Sequence, residues 1–390
     1  MTSVPGSLFR RTLFWAHLCC GIAAGVLVLV MSVTGVLLAY ERQIIQSRQQ
    51  ANRIVVPAGA QPLDVDRVVG FARDAAPPEA RISMIFDADP AMPVVVSMGR
   101  DQQLLLNPLT GELLPDHAAN AREFFHVVEG WHRWLGGDSR GFGSKLIDIS
   151  NLLFVFLILS GIYLWLPAVW RWRTVRGLVL FQKRYVNAKV RDFNWHHVFS
   201  FWMLIPLFLI ALSGVVMSYA WANRAVFAIY GETPPQRGGP GGPGAAGERA
   251  NSRPTPAADG ASYATLMSTA RSQFSGWQRI TLPVDAGGNT VQLTAELVSR
   301  ELRAPRQTLV LSRADASVVE LSPPPQPGPG TQSRGQRARV WLRFVHTGEQ
   351  YGLTGQTLAA IASLAACFLV YTGLALAWRR LIRPLFRRTA

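Results

Sequence analysis

Four long apolar stretches without Asp, Glu, Lys or Arg punctuate the chain: Thr12–Tyr40, Ile149–Trp170, Phe193–Asn223 and Gln350–Trp378. Each can cross the ~30 Å hydrocarbon core of a bilayer, which takes about 20 apolar residues, so they predict four transmembrane helices. Between them the pattern shortens. LNPLTGELL (106–114) reads as strand, turn and strand, and it aligns without a gap to LSRADASVV (311–319). Each is preceded by a helix-like stretch, DVDRVVGFARDAA and SYATLMSTARSQF, and by strand patterns such as RISMIF and TVQLTAEL. The plan is helix, small α+β module, helix, performed twice.

The spans repeat as well. His17 is followed by Gly21 and then by Thr34-Gly35; His196 is followed at the same spacings by Ser200 and Ser213-Gly214. Spans two and four carry matching Ser160-Gly161 and Thr372-Gly373, small residues that let transmembrane helices approach closely. The second outer module is lengthened by two Gly/Pro-rich inserts, 233–260 and 323–330, which read as linkers with no core to bury. The predicted fold class is therefore a membrane α-helical protein of four transmembrane helices plus two outer α+β domains, an internal duplication. Its expected parts are an N-terminal segment with helix one (1–41), a first outer domain (42–130), and a lead-in with helix two (131–170). A basic loop (171–192), helix three (193–223), a second outer domain (224–340), a lead-in with helix four (341–378) and a basic tail (379–390) follow.

Composition agrees with a membrane protein: 49% of the 390 residues are hydrophobic and only 16% charged. The net charge of +15 is distributed unevenly. The short loop holds Arg171, Arg173, Arg176, Lys183, Arg184, Lys189 and Arg191, and the tail holds Arg379, Arg380, Arg383, Arg387 and Arg388. Basic short loops stay in the cytoplasm, which places both termini and this loop inside and the two long segments outside. A charge set by topology makes a nucleic-acid partner a poor reading. The first apolar run exceeds a signal-peptide core of about 7–15 residues and reads as an uncleaved anchor. Cys19, Cys20 and Cys367 all fall in spans, so no disulfide framework is expected outside them, and no C-x-x-C-H offers covalent haem attachment.

The seven histidines supply the candidate chemistry. His17 and the His196-His197 doublet lie near the inner ends of spans one and three. His132 (WHRWLGG) and His346 (RFVHTGE) precede spans two and four from outside. Two pairs at two depths suit two bis-histidine sites, each imidazole an axial ligand to a haem iron held between facing helices. Ionisable residues within spans are functional hypotheses in their own right. Of the doublet, His196 matches the spacing around His17, while His197 remains an alternative. His117 reads as exposed, and His126 is undecided. Haem propionates seek cations, and Arg133 and Arg343 adjoin the outer pair while Arg10, Arg11 and Arg191 lie near the inner one. No H-E-x-x-H, C-x-x-C, Ser-His-Asp or phosphate-loop signature is evident.

WHRWL, SGIYLWLP, RDFNWHHVFSFW and RFVHTGEQYGLTGQ, with modules ending in LNPLTGELL and its counterpart, resemble the PepSY-associated transmembrane proteins, in particular the iron-regulated siderophore reductases of the FoxB type. Ser200 stands where those proteins commonly have glycine. The resemblance implies four helices, two periplasmic PepSY domains, two haem b groups on His17, His132, His196 or His197, and His346, and reduction of ferric siderophores in the periplasm. Electrons would come from a cytoplasmic or quinol donor. A different class of function, a haem-free PepSY scaffold or regulator holding a periplasmic partner, makes the histidines mere helix anchors. A siderophore permease would want polar residues at the membrane midplane, which the spans lack.

Overall fold

The computed structural model describes residues 8–99, 102–139, 141–167, 170–235, 260–284, 288–298, 306–323 and 333–386. Most of both Gly/Pro-rich inserts, together with Arg387 and Arg388 of the tail, lie outside the described residues. The chain opens with α1 (Leu8–Leu38) and α2 (Glu41–Gln50), followed by α3 (Val65–Ala75) and strands β1 (Ser83–Asp87), β2 (Val94–Ser97), β3 (Gln103–Leu106) and β4 (Leu113–Leu114). Then come α4 (Ala119–Trp134), α5 (Phe142–Trp165), α6 (Trp172–Val179), α7 (Ala188–Trp202), α8 (Leu204–Ser218) and α9 (Ala220–Ala228). The remainder is α10 (Tyr263–Gln273), β5 (Trp277–Pro283), β6 (Thr290–Leu297), β7 (Arg306–Ser312), β8 (Val318–Leu321), α11 (Arg334–Thr347), α12 (Gly352–Leu381) and α13 (Arg383–Phe386). A single 3-10 turn, Glu349–Tyr351, leads into α12.

These elements form two units, one helical (1–41, 123–234 and 333–390) and one built on a sheet (42–122 and 235–332). Three helical stretches are long and apolar enough to cross a membrane: Leu8–Gln50, Phe142–Trp165 and Glu349–Leu381. The fourth predicted span is not straight. Helices α7 and α8 are bent by 70° at Met203. Pro206 explains the break: it has no N–H for the carbonyl of Trp202, four residues back, and its ring would clash with that carbonyl. Helix α5 begins seven residues before the stretch expected from the sequence, at Phe142 rather than Ile149, because Lys145 and Asp148 sit in its first turns. Charges at a span end reach the interface and need not interrupt the helix.

Within the helical unit, α1 packs between α5 and α12, α7 lies on α12, and α8 contacts α5 and α11. Small residues set these distances. A Cβ on Gly25 would stand 3.3 Å from Leu374, and one on Gly21 3.8 Å from Leu157. Fully buried Asp192 at the start of α7 is paired with Arg379 of α12 and, at 2.9 Å, with Arg191, tying α7 to α12.

The sheet unit is one body where two separate domains were expected. Its eight strands are all antiparallel, in the order β4-β3-β2-β1-β5-β6-β7-β8. The junction is β1–β5, in register from Ser83↔Pro283 to Asp87↔Arg279. Left unpaired, each of these strands would be an exposed sheet edge, so pairing satisfies both at once. The alternating inward residues of both halves, among them Met84, Phe86, Val96, Ile280, Leu282, Leu293 and Leu311, meet α3 and α10 in a single core. Asp66 of α3 accepts from the backbone N–H of Tyr263 (2.8 Å) and Ala264 (3.2 Å), which joins the two helices. The same order of elements, one helix followed by four strands, thus occurs twice on one sheet.

Candidate functional site

The histidines on the helical unit share one local arrangement. His17 Nδ1 lies 2.8 Å from Ser160 Oγ, His132 Nδ1 2.8 Å from Thr34 Oγ1, His196 Nδ1 2.9 Å from Thr372 Oγ1, and His346 Nδ1 3.1 Å from Ser213 Oγ. Every bond runs between different helices. These hydroxyls belong to the Ser/Thr-Gly pairs that the sequence offers only as small packing residues; here they also hold the imidazoles. The glycine that follows clears the ring in three cases: a Cβ at Gly35, Gly161 or Gly373 would stand 3.5–3.6 Å from a histidine Cε1. At Gly214 the crowded neighbour is instead Asn151, at 2.7 Å.

The tautomers follow from where the hydroxyl hydrogens go. Each hydroxyl is 2.7–2.8 Å from the helix carbonyl four residues back: Thr34 from Val30, Ser160 from Phe156, Ser213 from Leu209 and Thr372 from Phe368. A carbonyl has no hydrogen, so contacts this short contain the hydroxyl's own. The hydroxyl oxygen can then only accept from the ring, which places the imidazole hydrogen on Nδ1 and leaves the Nε2 lone pair free. His346 Nδ1 also donates to the Ile210 carbonyl at 2.9 Å, which requires the same tautomer. His197 is bonded differently. Its Nδ1 donates to the Phe193 carbonyl of its own helix at 2.8 Å, and its ring lies 4.1 Å from that of Phe193.

His132 and His346 come together, with ring centres 6.3 Å apart and planes at 70°. Two imidazoles bound on opposite sides of one metal ion, at metal–nitrogen bonds of about 2.0–2.1 Å, have ring centres about 6 Å apart. At the other level, His17 and His197 are the ionisable neighbours of His196, but His17 makes no ring contact with either. Along α1 the two levels are marked by His17 and Thr34, about 25 Å apart at 1.5 Å per residue.

Two backbone close approaches, absent from the sequence reading, position the first pair. A Cβ on Gly143, in the first turn of α5, would lie 2.2 Å from the Trp134 carbonyl at the end of α4. A Cβ on Gly355, in the first turn of α12, would lie 2.2 Å from the Gly348 carbonyl that ends α11. In both cases the end of the histidine-bearing helix abuts the start of the span that follows it. Glu232 caps the start of α11, accepting from the backbone N–H of Arg334 (2.9 Å) and Gly335 (2.8 Å). Its carboxyl is held below the usual range, first by the Ser333 hydroxyl and then by these N–H groups and the Arg334 charge.

The predicted cations are placed less uniformly. Arg133 bonds Glu129 at 2.6 Å and stacks over Trp134, whereas Arg343 is exposed and has no ion pair among the described residues. Arg10 donates to the carbonyls of Leu164 and Leu166 at the end of α5, Arg191 pairs with Asp192, and Arg11 is exposed. His117 and His126 are both exposed. No group of three or more His, Cys, Asp or Glu among the described residues is arranged to hold a metal ion. The donor set nevertheless suits haem, whose ring supplies the other ligands and which needs only axial imidazoles. The Nε1 of Trp165, buried without an acceptor among the described residues five positions after Ser160, suits an acidic group brought in from outside the chain.

Membrane-length helices, an antiparallel α+β unit and four cross-helix histidine–hydroxyl bonds define a helical membrane protein with a built set of imidazole donors. Residues 14–380 match the model of the PepSY-associated TM region, and the chain belongs to that family. A search of curated proteins finds no match.

Proposed function

We propose that this protein is a dihaem b-type electron-transfer protein of the bacterial inner membrane that reduces ferric siderophores in the periplasm. One observation carries the reading: four imidazoles are fixed across helices with Nε2 unprotonated, and two of them already stand at the spacing of a shared ligand. His132 and His346 would hold one haem and His17 and His196 the other. His196 is bonded by Thr372 as His17 is by Ser160, which favours it over His197. Arg343 would offer its guanidinium to a propionate, and Arg133 would do so on leaving Glu129.

Haem, when bound, supplies a reversible one-electron couple. The chain does the rest. Its hydroxyls orient the ligands, and its apolar spans exclude water. The two histidine levels are separated by about 25 Å, most of a ~30 Å hydrocarbon core. With the basic loop and tail inside, the His17 and His196 imidazoles would hold the haem nearer a cytoplasmic or quinol donor, and those of His132 and His346 the haem nearer the periplasm. Hard oxygen donors favour Fe(III), and Fe(II) is the softer cation, so one electron loosens the siderophore's hold and leaves the carrier intact.

The test is anaerobic. Purified, reduced protein is mixed with a panel of ferric siderophores in the presence of a ferrous-ion trap. Reoxidation of the protein with matching capture of ferrous ion supports the reading. Protein that stays reduced with every siderophore contradicts the substrate, and protein without haem leaves the scaffold reading in its place.

A further inference from the structure

Four hydrogen-bond chains of the form Nδ1–H···Oγ–H···O=C run from histidine to span backbone, through Ser160, Thr34, Thr372 and Ser213. We infer that these hydroxyls are positioning residues that set the reduction potentials of the two metal centres, and that Ser213 has the smallest influence of the four. The inference rests on the haem reading above.

The physical argument concerns electron density. An imidazole whose Nδ1–H is donated to a good acceptor is a more basic ligand through Nε2, and such outer partners tune a metal site. Stronger donation favours ferric iron and lowers the potential. A hydroxyl that has given its own hydrogen away is a better acceptor, because linked hydrogen bonds polarise one another. In the apolar interior of a bundle no water stands ready to replace a lost acceptor, so removing the hydroxyl strands the Nδ1–H.

The four positions differ in what remains. His346 keeps the Ile210 carbonyl at 2.9 Å. For the Nδ1 of His17, His132 and His196 the hydroxyl is the one acceptor within hydrogen-bond distance among the described residues. Loss of the hydroxyl should therefore matter least at His346. A role confined to packing predicts no such order, since Thr→Val keeps the volume and Ser→Ala removes one atom at each serine.

The experiment is redox potentiometry of the full-length, haem-loaded protein, followed by visible absorption and by low-spin EPR. Ser160→Ala, Thr372→Val, Thr34→Val and Ser213→Ala are compared with wild type. Ser160→Ala and Thr372→Val should raise the midpoint of one centre only, and Thr34→Val and Ser213→Ala that of the other. Ser213→Ala should shift least of the four, and the swaps Ser160→Thr and Thr372→Ser should restore the wild-type midpoints. Fully loaded variants with wild-type midpoints would overturn the inference while leaving the haem reading intact, as would a largest shift in Ser213→Ala. Where Ser160→Ala loses its haem, Ser160→Thr decides: haem held at the wild-type midpoint supports the inference, and the same loss overturns it. Wild-type protein devoid of haem overturns the functional reading and this inference together.

Discussion

The two ends of the helical unit present their histidines by different means. His132 and His346 ride on α4 and α11, whose ends abut the next span through the glycine contacts at Gly143 and Gly355, and their rings stand 6.3 Å apart. His17 and His196 belong to the crossing helices themselves, and their rings are not in contact. The first pair is thus preset by two turns. The second depends on how closely α1, α5, α7 and α12 approach, through residues such as Gly21, Gly25 and the Asp192–Arg379 pair. One hydrogen-bonding device serves both ends, so the local bonding of the imidazoles is the same at both while the means of placement is not.

Removing a ligand should break the comparison most sharply. His132→Ala or His346→Ala is expected to cost one of two haems per chain and spare the other, and His17→Ala or His196→Ala the reverse, as counted by pyridine haemochrome. His197→Ala is expected to retain both, because the ring bonds only its own helix. Loss of a haem in His197→Ala with retention in His196→Ala would exchange their roles.

Next in size is Gly355→Ala. Its Cβ would lie 2.2 Å from a backbone oxygen, and neither the turn nor the first turn of α12 can give way without moving α11. A loss of about 1–3 kcal/mol is expected for such overpacking, read as a lower melting temperature, with haem loss confined to the His132–His346 end. Equal disturbance of both ends would contradict separate placement.

Much of this was legible in the chain, for identifiable reasons. Charge-free runs mark the spans, and LNPLTGELL with LSRADASVV corresponds to β3–β4 and β7–β8. The fusion of both modules into one sheet was not legible, because it rests on β1 and β5 pairing across nearly 200 residues, and no local pattern encodes a partner so distant. The bend at Met203 had its signal in Pro206, in the middle of an apolar run. The Ser/Thr-Gly pairs were visible as a repeat, Thr34-Gly35 and Ser213-Gly214 at a fixed spacing from His17 and His196, and Ser160-Gly161 matching Thr372-Gly373. Their bonding role was hidden, since small residues fit packing equally well and only the paired helices show what each hydroxyl faces.

The smallest expected effect concerns pH. The Glu232 carboxyl titrates below its unfolded value, so its capping of α11 is complete above the usual glutamate range and is lost as pH falls through the depressed folded value. Glu232→Gln should flatten that part of the acid dependence of the melting temperature. Identical profiles in the two proteins would remove Glu232 from the account of how α11 is held.

The most direct test of the central claim is a reduced-minus-oxidised absorption spectrum of the detergent-purified protein with haem counted per chain. A low-spin b-type spectrum with two haems per chain is the predicted result. A blank spectrum after expression with ample haem would contradict it and leave the four histidines as anchors of helix packing.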